Sequence, residues 1–181
     1  MCNVVVVDYD DTWPRQFEAL AARIWPAVQD VAVSIEHIGS TSVPGLAAKP
    51  IIDMSIVVSS SADIPNVIGK LVALGYGHRG NLGIEGREVF QQPPDLPRHH
   101  LYACPAGTVG LINPLALRDY LRANADTTRR YATLKKRLAR EYADDIDGYT
   151  VAKTDFILSI LRLAGLTEEQ LEAIEHMNRQ R

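Results

Sequence analysis

The sequence has few cysteines, and the two that it has lie far apart. Cys2 and Cys104 form no CxxC pair and no Cys/His ligand spacing, so the pattern excludes a disulfide framework and the usual zinc sites. Cys104 is predicted to be a core residue. A reducing, cytoplasmic setting is the simplest interpretation of this cysteine usage.

Long hydrophobic runs are also missing. No segment reaches the roughly 18 consecutive apolar residues that a membrane-spanning helix needs. The first residues, Met1-Cys2-Asn3, lack basic charge, and the run Val4–Val7 is too short for the hydrophobic part of a signal peptide. We therefore expect a cytoplasmic protein that does not insert into a membrane.

A surplus of positive charge is absent as well. The 19 Lys and Arg residues stand against 22 Asp and Glu, for a net charge of −3, whereas a dedicated nucleic-acid binder is usually basic. The 181 residues are 46% hydrophobic and 23% charged, which is typical of soluble globular proteins. At this length folding buries roughly 70% of the unfolded surface, enough for one domain with a core and a pocket.

Hydrophobic periodicity predicts an α+β fold in the first two thirds of the chain. Helical spacing of apolar residues alternates there with the two-residue period of strands. In chain order the predicted elements are a helix from Trp13 to Val28, strands at 30–38 and 51–58, a helix at 65–74, and strands at 87–92 and 99–104.

From Asn113 onward the period is helical throughout. Asn113 is a natural N-cap, with Pro114 at the first helical position. The pattern predicts helices at 114–124, 127–143, 150–164 and 168–179. We therefore expect an α/β core over residues 1–112 and a helical part over 113–181, packed together as a single compact unit.

The most informative stretch runs from Ile38 to Asp53. It consists of a strand, a turn of small residues, and a second strand that carries one acid. Gly39 and Ser40 let backbone N–H groups approach an anion closely, and the hydroxyls of Ser40 and Thr41 add donors. Two interpretations stand at this point: an ordinary turn from strand to loop, or a cradle for a phosphate group.

Strand alternation places Asp53 on the same face as Ser55, with Met54 on the opposite face. An acid in a buried strand costs several kcal/mol if it is unpaired, so Asp53 needs a partner, a metal ion or a pocket. Lys49, Arg87 or a backbone N–H would satisfy Asp53 as a purely structural residue.

Positive charge is concentrated in residues 118–140. Eight basic residues, Arg118 and Lys135 among them, stand there against two acidic ones, which gives a local charge of +6. Such a run usually forms a solvated helix face. The alternative is an anion site, although nucleic acid would need a larger basic surface.

Two aromatic and basic residue pairs have helical spacing. Tyr131 with Lys135, and Tyr149 with Lys153, are i, i+4 neighbours, so each pair stacks an aromatic ring and a cation on one helix face. Beside a Gly39-Ser40 turn these pairs could hold a phosphate chain, with a tyrosine against a base.

The run GSTSVPGLAAKPIID, residues 39–53, resembles the signature of the GrpB family, a bacterial branch of the nucleotidyltransferase superfamily. The resemblance covers roughly residues 10–165 and implies an α+β, polymerase-β-like fold, in which a mixed sheet has flanking helices and a helical C-terminal part. Further matching pieces follow in order: Gly86-Arg87 with Phe90, Arg98–Tyr102, Leu117–Arg122, Tyr131 with Leu134-Lys135, and Tyr149 with Lys153 and Phe156.

The resemblance also implies a metal-dependent active site. Superfamily enzymes hold two divalent metals with a Gly-Ser turn, two acids that are two positions apart, and a third acid on a later strand. Gly39-Ser40 match the turn and Asp53 matches the first acid, which makes Asp53 the candidate metal ligand and Mg²⁺ the implied cofactor. Ser55 stands at the second acid position, and the later strand offers His100 and Tyr102 instead of an acid.

The function implied is transfer of a nucleotidyl group from ATP, or a similar nucleotide, to a small-molecule acceptor. Asp53, Ser55 and His100 are the candidate catalytic residues. The candidate nucleotide-binding residues are Gly39, Ser40, Thr41, Lys49, Arg87, Arg118, Lys135, Tyr149 and Lys153. Two alternatives stay open: a catalytically silent module that binds a nucleotide or phosphometabolite, and an ATP-using ligase or other transferase on the same fold.

Overall fold

A five-stranded mixed sheet forms the centre of the computed structural model, which describes residues 4–179. Its strands lie in the order β1-β2-β5-β4-β3. The β2–β5 pair is parallel and the other three pairs are antiparallel, which confirms the predicted mixed sheet. The bounds are β1 Ala32–Ile38, β2 Ile52–Val58, β3 Gly77–His78, β4 Glu88–Gln91 and β5 His99–Pro105.

Seven helices flank or follow the sheet within the described residues. They are α1 Trp13–Val28, α2 Ile64–Ala73, α3 Val109–Ala123, α4 Ala125–Glu141, α5 Ile146–Ala152, α6 Thr154–Leu163 and α7 Glu168–Arg179. The predicted α+β class with a helical C-terminal part is therefore confirmed. Within residues 4–179, none of these helices has the length and apolar character that crossing a bilayer requires.

The two faces of β2 have different neighbours. Met54, Ile56 and Val58 lie in the main hydrophobic core together with residues of α1 and α2, such as Ile24 and Leu71. The intervening residues of β2 point to the opposite face, as the two-residue period predicts. Asp53 is therefore directed toward the side of the sheet on which α3 packs.

Helix α3 begins earlier than the sequence predicts. Its N-cap is Thr108, not Asn113, and Pro114 lies inside the helix. Leu111 in the first turn is buried beside Cys104 of β5. Packing of this turn on the sheet outweighs both the Asn-Pro start signal and the backbone donor that Pro114 lacks.

The single helix predicted at 150–164 is two helices. The carboxylate of Asp145 accepts a bond from the Gly148 N–H at 2.8 Å and starts α5 at Ile146, and the chain breaks at Lys153 before α6. The two helices bury different clusters, since Tyr149 of α5 packs with residues of α4 and α6 packs against Tyr131. The break lets each helix face its own cluster.

The N-terminal segment contacts the helical part of the chain. Val4 donates its N–H to the Ala143 carbonyl at 2.7 Å and packs in a cluster with Leu138 of α4 and Tyr149 of α5. The division at residue 112 remains a prediction, but the contacts of Val4 join the two halves into one packed structure.

Two arginines of α3 bind the β1 strand and the turn after it. Arg118 donates to the Glu36 carboxylate at 2.8 Å and to the His37 carbonyl at 3.0 Å. Arg122 donates through Nε and a terminal nitrogen to the Ser42 carbonyl, at 3.0 and 2.8 Å. These charge-assisted bonds fix α3 against the Gly39-Ser40 turn.

Replacing Arg122 with leucine should therefore destabilise the protein. Hydrogen bonds from charged groups contribute about 1.5–3 kcal/mol, so the free energy of unfolding, measured by urea denaturation, should fall by that amount. Arg129→Leu is the matched control, because Arg129 is exposed and pairs only within its own helix with Asp126. Its effect should stay within about 0.5 kcal/mol, and equal losses in the two variants would contradict the role of Arg122.

Candidate functional site

Asp53 packs directly against the Gly39 turn. The register of the antiparallel β1–β2 pair places Ile38 opposite Asp53, so Gly39, the next residue, lies beside the Asp53 side chain. Gly39 has φ = +69°, and a Cβ atom there would lie 2.9 Å from the Cβ and Cγ atoms of Asp53. Only glycine combines this conformation with this approach, and the predicted adjacency of Asp53 and the Gly39-Ser40 turn is confirmed.

His100 is the hydrogen-bond partner of Asp53. The two residues are register partners on the parallel strands β2 and β5, and His100 Nδ1 lies 2.7 Å from Asp53 Oδ1. An ionised carboxylate can only accept, so Nδ1 carries the proton and donates it. The side chains are 27% and 44% exposed for Asp53 and His100, respectively, which leaves the imidazole accessible. Sequence analysis named both residues but did not predict the bond between them.

The two other positions at which superfamily enzymes carry acids are arranged differently. Ser55 is fully buried, and its catalytic role remains a prediction. Tyr102 lies opposite Ser55 in the parallel register. The guanidinium of Arg87 lies 4.9 Å from the centre of the Tyr102 ring, a cation–π contact.

The donors around Asp53 do not fit a two-metal site. Within residues 4–179, no group of three or more His, Cys, Asp or Glu side chains could hold a metal ion. Mg²⁺ prefers several oxygen ligands in octahedral geometry, whereas this site provides one carboxylate with one oxygen bonded to His100. We therefore derive no step through a metal ion.

Thr41 faces inward, away from any ligand. It is buried, its hydroxyl donates to the Ile51 carbonyl at 3.3 Å, and it lies 3.1 Å from Nε2 of His37. Burial first, and then the charge of Arg122, lowers the pKa of His37 to about 4, so this imidazole is neutral. The role of Thr41 in nucleotide binding remains a prediction, while Ser40 lines a cavity between the sheet and the helical part.

Lys135 is a buried lysine whose amine has no hydrogen-bond partner. The residue is 2% exposed, and its Nζ lies 4.9 Å from the centre of the Tyr131 ring. Burial lowers its pKa well below the usual value of 10.5, and the charges of Lys153 and Lys49 act in the same direction, while Asp53 opposes them. The charges of Lys153, Lys49 and Asp53 thus all act on the Lys135 amine.

Both predicted pairs of tyrosine and lysine form. Lys153 Nζ lies 4.2 Å from the centre of the Tyr149 ring, in the same arrangement as Lys135 over Tyr131. Tyr149 is 1% exposed, and burial raises its pKa to about 12. Its ring therefore offers little surface to a base in this structure, and stacking of a tyrosine on a base remains a prediction.

Two adjoining cavities lie between the sheet and the helical part. One, of about 210 Å³, is lined by Asp53, Arg87 and Tyr102 from the sheet side. The other, of about 170 Å³, is lined by Ser40 and by Arg118, which is already ion-paired with Glu36 and Asp119. Four residues line both cavities: Gly39, Asn113, Pro114 and Asn178. We call these joined cavities the cleft.

Sequence analysis missed several residues of the cleft. Asn113 was predicted only as a helix cap, and Met177 and Asn178 belong to the last helix, α7, far from any recognised motif. They reach the cleft because α7 packs on α3 and α6. No local signal in the sequence could have identified them.

Comparison with known proteins gives one family and one wider fold. The profile of the GrpB protein family matches residues 3–163. The UPF0157 protein YqkA of Bacillus subtilis is 36% identical over 155 residues, which cover 86% of this chain and 45% of YqkA. The chain thus spans less than half the length of that relative.

Two crystal structures resemble the whole fold. The conserved protein GrpB from Enterococcus faecalis superimposes with a TM-score of 0.77 and 34% identity, over 96% of this chain and 99% of the other. The Cid1 poly(U) polymerase with MgGTP bound gives a TM-score of 0.55 at 14% identity, over 82% of this chain and 50% of the other. The latter likeness concerns the fold alone, and it confirms the predicted nucleotidyltransferase-like architecture.

Alanine at Gly39 should destabilise the protein more than alanine at Gly45. Both glycines have positive φ, but a Cβ at Gly45 would meet nothing within 4 Å. Gly45→Ala should cost only the left-handed strain of about 1–2 kcal/mol. Gly39→Ala should lose a further 1–3 kcal/mol, roughly, by overpacking against Asp53. Equal free energies of unfolding for the two variants would contradict this packing.

Proposed function

This chain belongs to the GrpB family, and we propose that it binds a nucleoside triphosphate such as ATP and transfers its nucleotidyl group to a small-molecule acceptor. The nucleotidyltransferase-like fold supports this reaction class, since a polymerase of the same fold has been crystallised with MgGTP bound. A buried lysine that is within electrostatic reach of Asp53 supports it independently.

The buried amine of Lys135 is the observation that carries the proposal. A buried polar group without a hydrogen bond costs about 1–3 kcal/mol, and two further lysines, Lys49 and Lys153, increase the local positive potential. A polyphosphate would supply both the acceptors and the negative charge that Lys135 lacks. These three lysines are better suited to binding an anionic ligand than to stabilising the unliganded protein.

The turn at Gly39 and Ser40 extends this site toward Asp53. Backbone N–H groups at a glycine turn can bind phosphate oxygens, and Ser40 adds a hydroxyl in the smaller cavity. We assign the phosphates to the region between this turn and the three lysines. Thr41 and Tyr149 are left out of this assignment, since the Thr41 hydroxyl already donates to the Ile51 carbonyl and Tyr149 packs in a cluster with Leu138.

The size of the cleft favours a small acceptor. Ligand pockets usually measure about 300–1,000 Å³, and the two joined cavities of about 170 and 210 Å³ together lie at the lower end of that range. A larger cavity, of about 950 Å³, shares Ile84, Val109 and Met177 with the cavity beside Asp53. We assign the approach of the acceptor toward Asp53 to this cavity, which residues of α7 help to line.

A second candidate function is a nucleotide-binding module without catalysis. The absence of a carboxylate at Ser55 and Tyr102 favours it. This alternative shares the phosphate site and differs only in turnover, so a binding measurement tests what the two functions have in common.

Lys135→Met should weaken ATP binding and stabilise the protein at the same time. The methionine removes the cation that meets the phosphates but fills the same buried space without a polar group. We expect at least a tenfold loss of affinity by isothermal titration, about 1.4 kcal/mol, and a melting temperature higher by several degrees. Lys136→Met is the control, since Lys136 is partly exposed and pairs with Asp8. An unchanged affinity in Lys135→Met would place the phosphates elsewhere.

The stability gained by Lys135→Met should depend on pH. The pKa of Lys135 is lower in the folded protein than the usual 10.5, so the unfolded state binds more protons and wild-type stability rises with pH between the two values. The difference between variant and wild type should therefore shrink as the pH approaches 10.5. Urea denaturation across alkaline pH measures this, and a difference that widens toward pH 10.5 would contradict the assigned direction.

A further inference from the structure

We infer that His100, oriented by Asp53, is the general base that deprotonates the acceptor hydroxyl, and that this pair takes the place of the superfamily's metal-bound acids. The inference rests on the proposed nucleotidyl transfer and names its catalytic base. It also assigns Asp53 a positioning role, since the carboxylate acts through the imidazole.

The pairing of Asp53 and His100 is fixed by the sheet. The residues are directly opposite on parallel neighbouring strands, and their side chains share one face. The Gly39 backbone packs against Asp53, so the carboxylate has little room to turn away from His100. A side-chain pair held by backbone register and a glycine turn keeps its geometry without a ligand.

The bond to Asp53 determines which nitrogen of His100 can act as a base. Asp53 accepts the hydrogen bond that Nδ1 donates at 2.7 Å, so Nε2 is the ring nitrogen that is left to take up a proton. The side chain of His100 is 44% exposed and its partner Asp53 lines the larger cavity of the cleft, so we assign the acceptor hydroxyl to the Nε2 side of the ring. A carboxylate that orients an imidazole in this way is a common arrangement for general-base catalysis.

The transfer step needs no reactant other than ATP, the acceptor hydroxyl and the imidazole of His100. Nε2 of His100 takes the proton of the acceptor hydroxyl while the acceptor oxygen forms a bond to the α-phosphorus of ATP. The bond between that phosphorus and the bridging oxygen of the pyrophosphate breaks, and pyrophosphate leaves with the bonding electrons. The proton on Nε2 then passes to solvent, and the imidazole is neutral again.

Positive side chains provide the charge stabilisation that a metal would otherwise supply. The Lys135 amine lies within electrostatic reach of Asp53 and of the charges of Lys153 and Lys49, and Arg87 lines the cavity that Asp53 borders. Fixed cations aimed at a developing phosphate charge lower the barrier without a divalent ion. The site therefore has a base and a cationic environment but only one carboxylate.

His100→Gln tests this role, because glutamine keeps an N–H that can reach Asp53 but has no basic nitrogen. Pyrophosphate release from ATP is measured with EDTA present and with excess glycerol as a hydroxyl-bearing acceptor probe. We expect release by the wild type under these conditions, and a loss of about 10²–10⁴-fold in the variant. ATP affinity, measured separately by titration calorimetry, should be unchanged.

His78→Gln is the matched control. His78 lies on the edge strand β3 of the same sheet and pairs with Glu88 at 2.6 Å. The variant His78→Gln therefore removes a comparable pair outside the cleft. Its pyrophosphate release should equal that of the wild type. Nitrogen-15 NMR gives an activity-independent readout, in which His100 of the wild type carries its neutral-state proton on Nδ1 and loses that preference in Asp53→Ala.

The possible outcomes separate this inference from the proposed function. Absence of ATP binding by the wild type overturns the proposed function and the reaction with it. Binding with release only after a divalent ion is added, or equal release by His100→Gln, overturns the role of His100 alone. Binding without release under any condition also overturns it and leaves the binding module.

Discussion

The contact between Asp53, the Gly39 backbone and His100 is the constraint on which the rest of the site depends. It requires β1 to end at Ile38, with Gly39 as the next residue. It also requires β2 to pair in parallel with β5, so that Asp53 and His100 lie opposite each other. The same pairing buries the other face of β2 in the main core. Asp53, the charged residue that is costly to bury on a central strand, is therefore the residue whose neighbours are most closely specified.

Stability and function oppose each other at the neighbouring lysines. Lys135 is buried without a hydrogen bond, and its charge is disfavoured by burial and by Lys153 and Lys49. Buried groups of this kind cluster at functional sites, because an environment that penalises a charge also responds strongly to a ligand of opposite charge. In contrast, the arginines of α3 are satisfied by Glu36 and the Ser42 carbonyl, and their role is to hold the turn in place.

The sequence predicted features that depend on local patterns. Two-residue alternation predicted that Asp53 lies on a strand, and the family resemblance implied that this strand lies beside the Gly39-Ser40 turn. The i, i+4 spacing predicted the stacking of Lys135 and Lys153 on tyrosines. Features that depend on packing were not predictable. The inward orientation of Thr41, the burial of Tyr149, the early start of α3 and the approach of Asn178 to the cleft all follow from contacts between distant parts of the chain.

The central claim is that a triphosphate binds between the Gly39-Ser40 turn and the three lysines, beside the Asp53–His100 pair. A crystal structure with a non-hydrolysable ATP analogue, determined with and without Mg²⁺, tests this most directly. The account predicts phosphate oxygens within hydrogen-bonding distance of Lys135 Nζ and of the backbone at Ser40, and a His100 Nε2 that faces the α-phosphate in both crystals. An analogue bound elsewhere, or a metal ion coordinated by Asp53 in place of its bond to His100, would contradict the account.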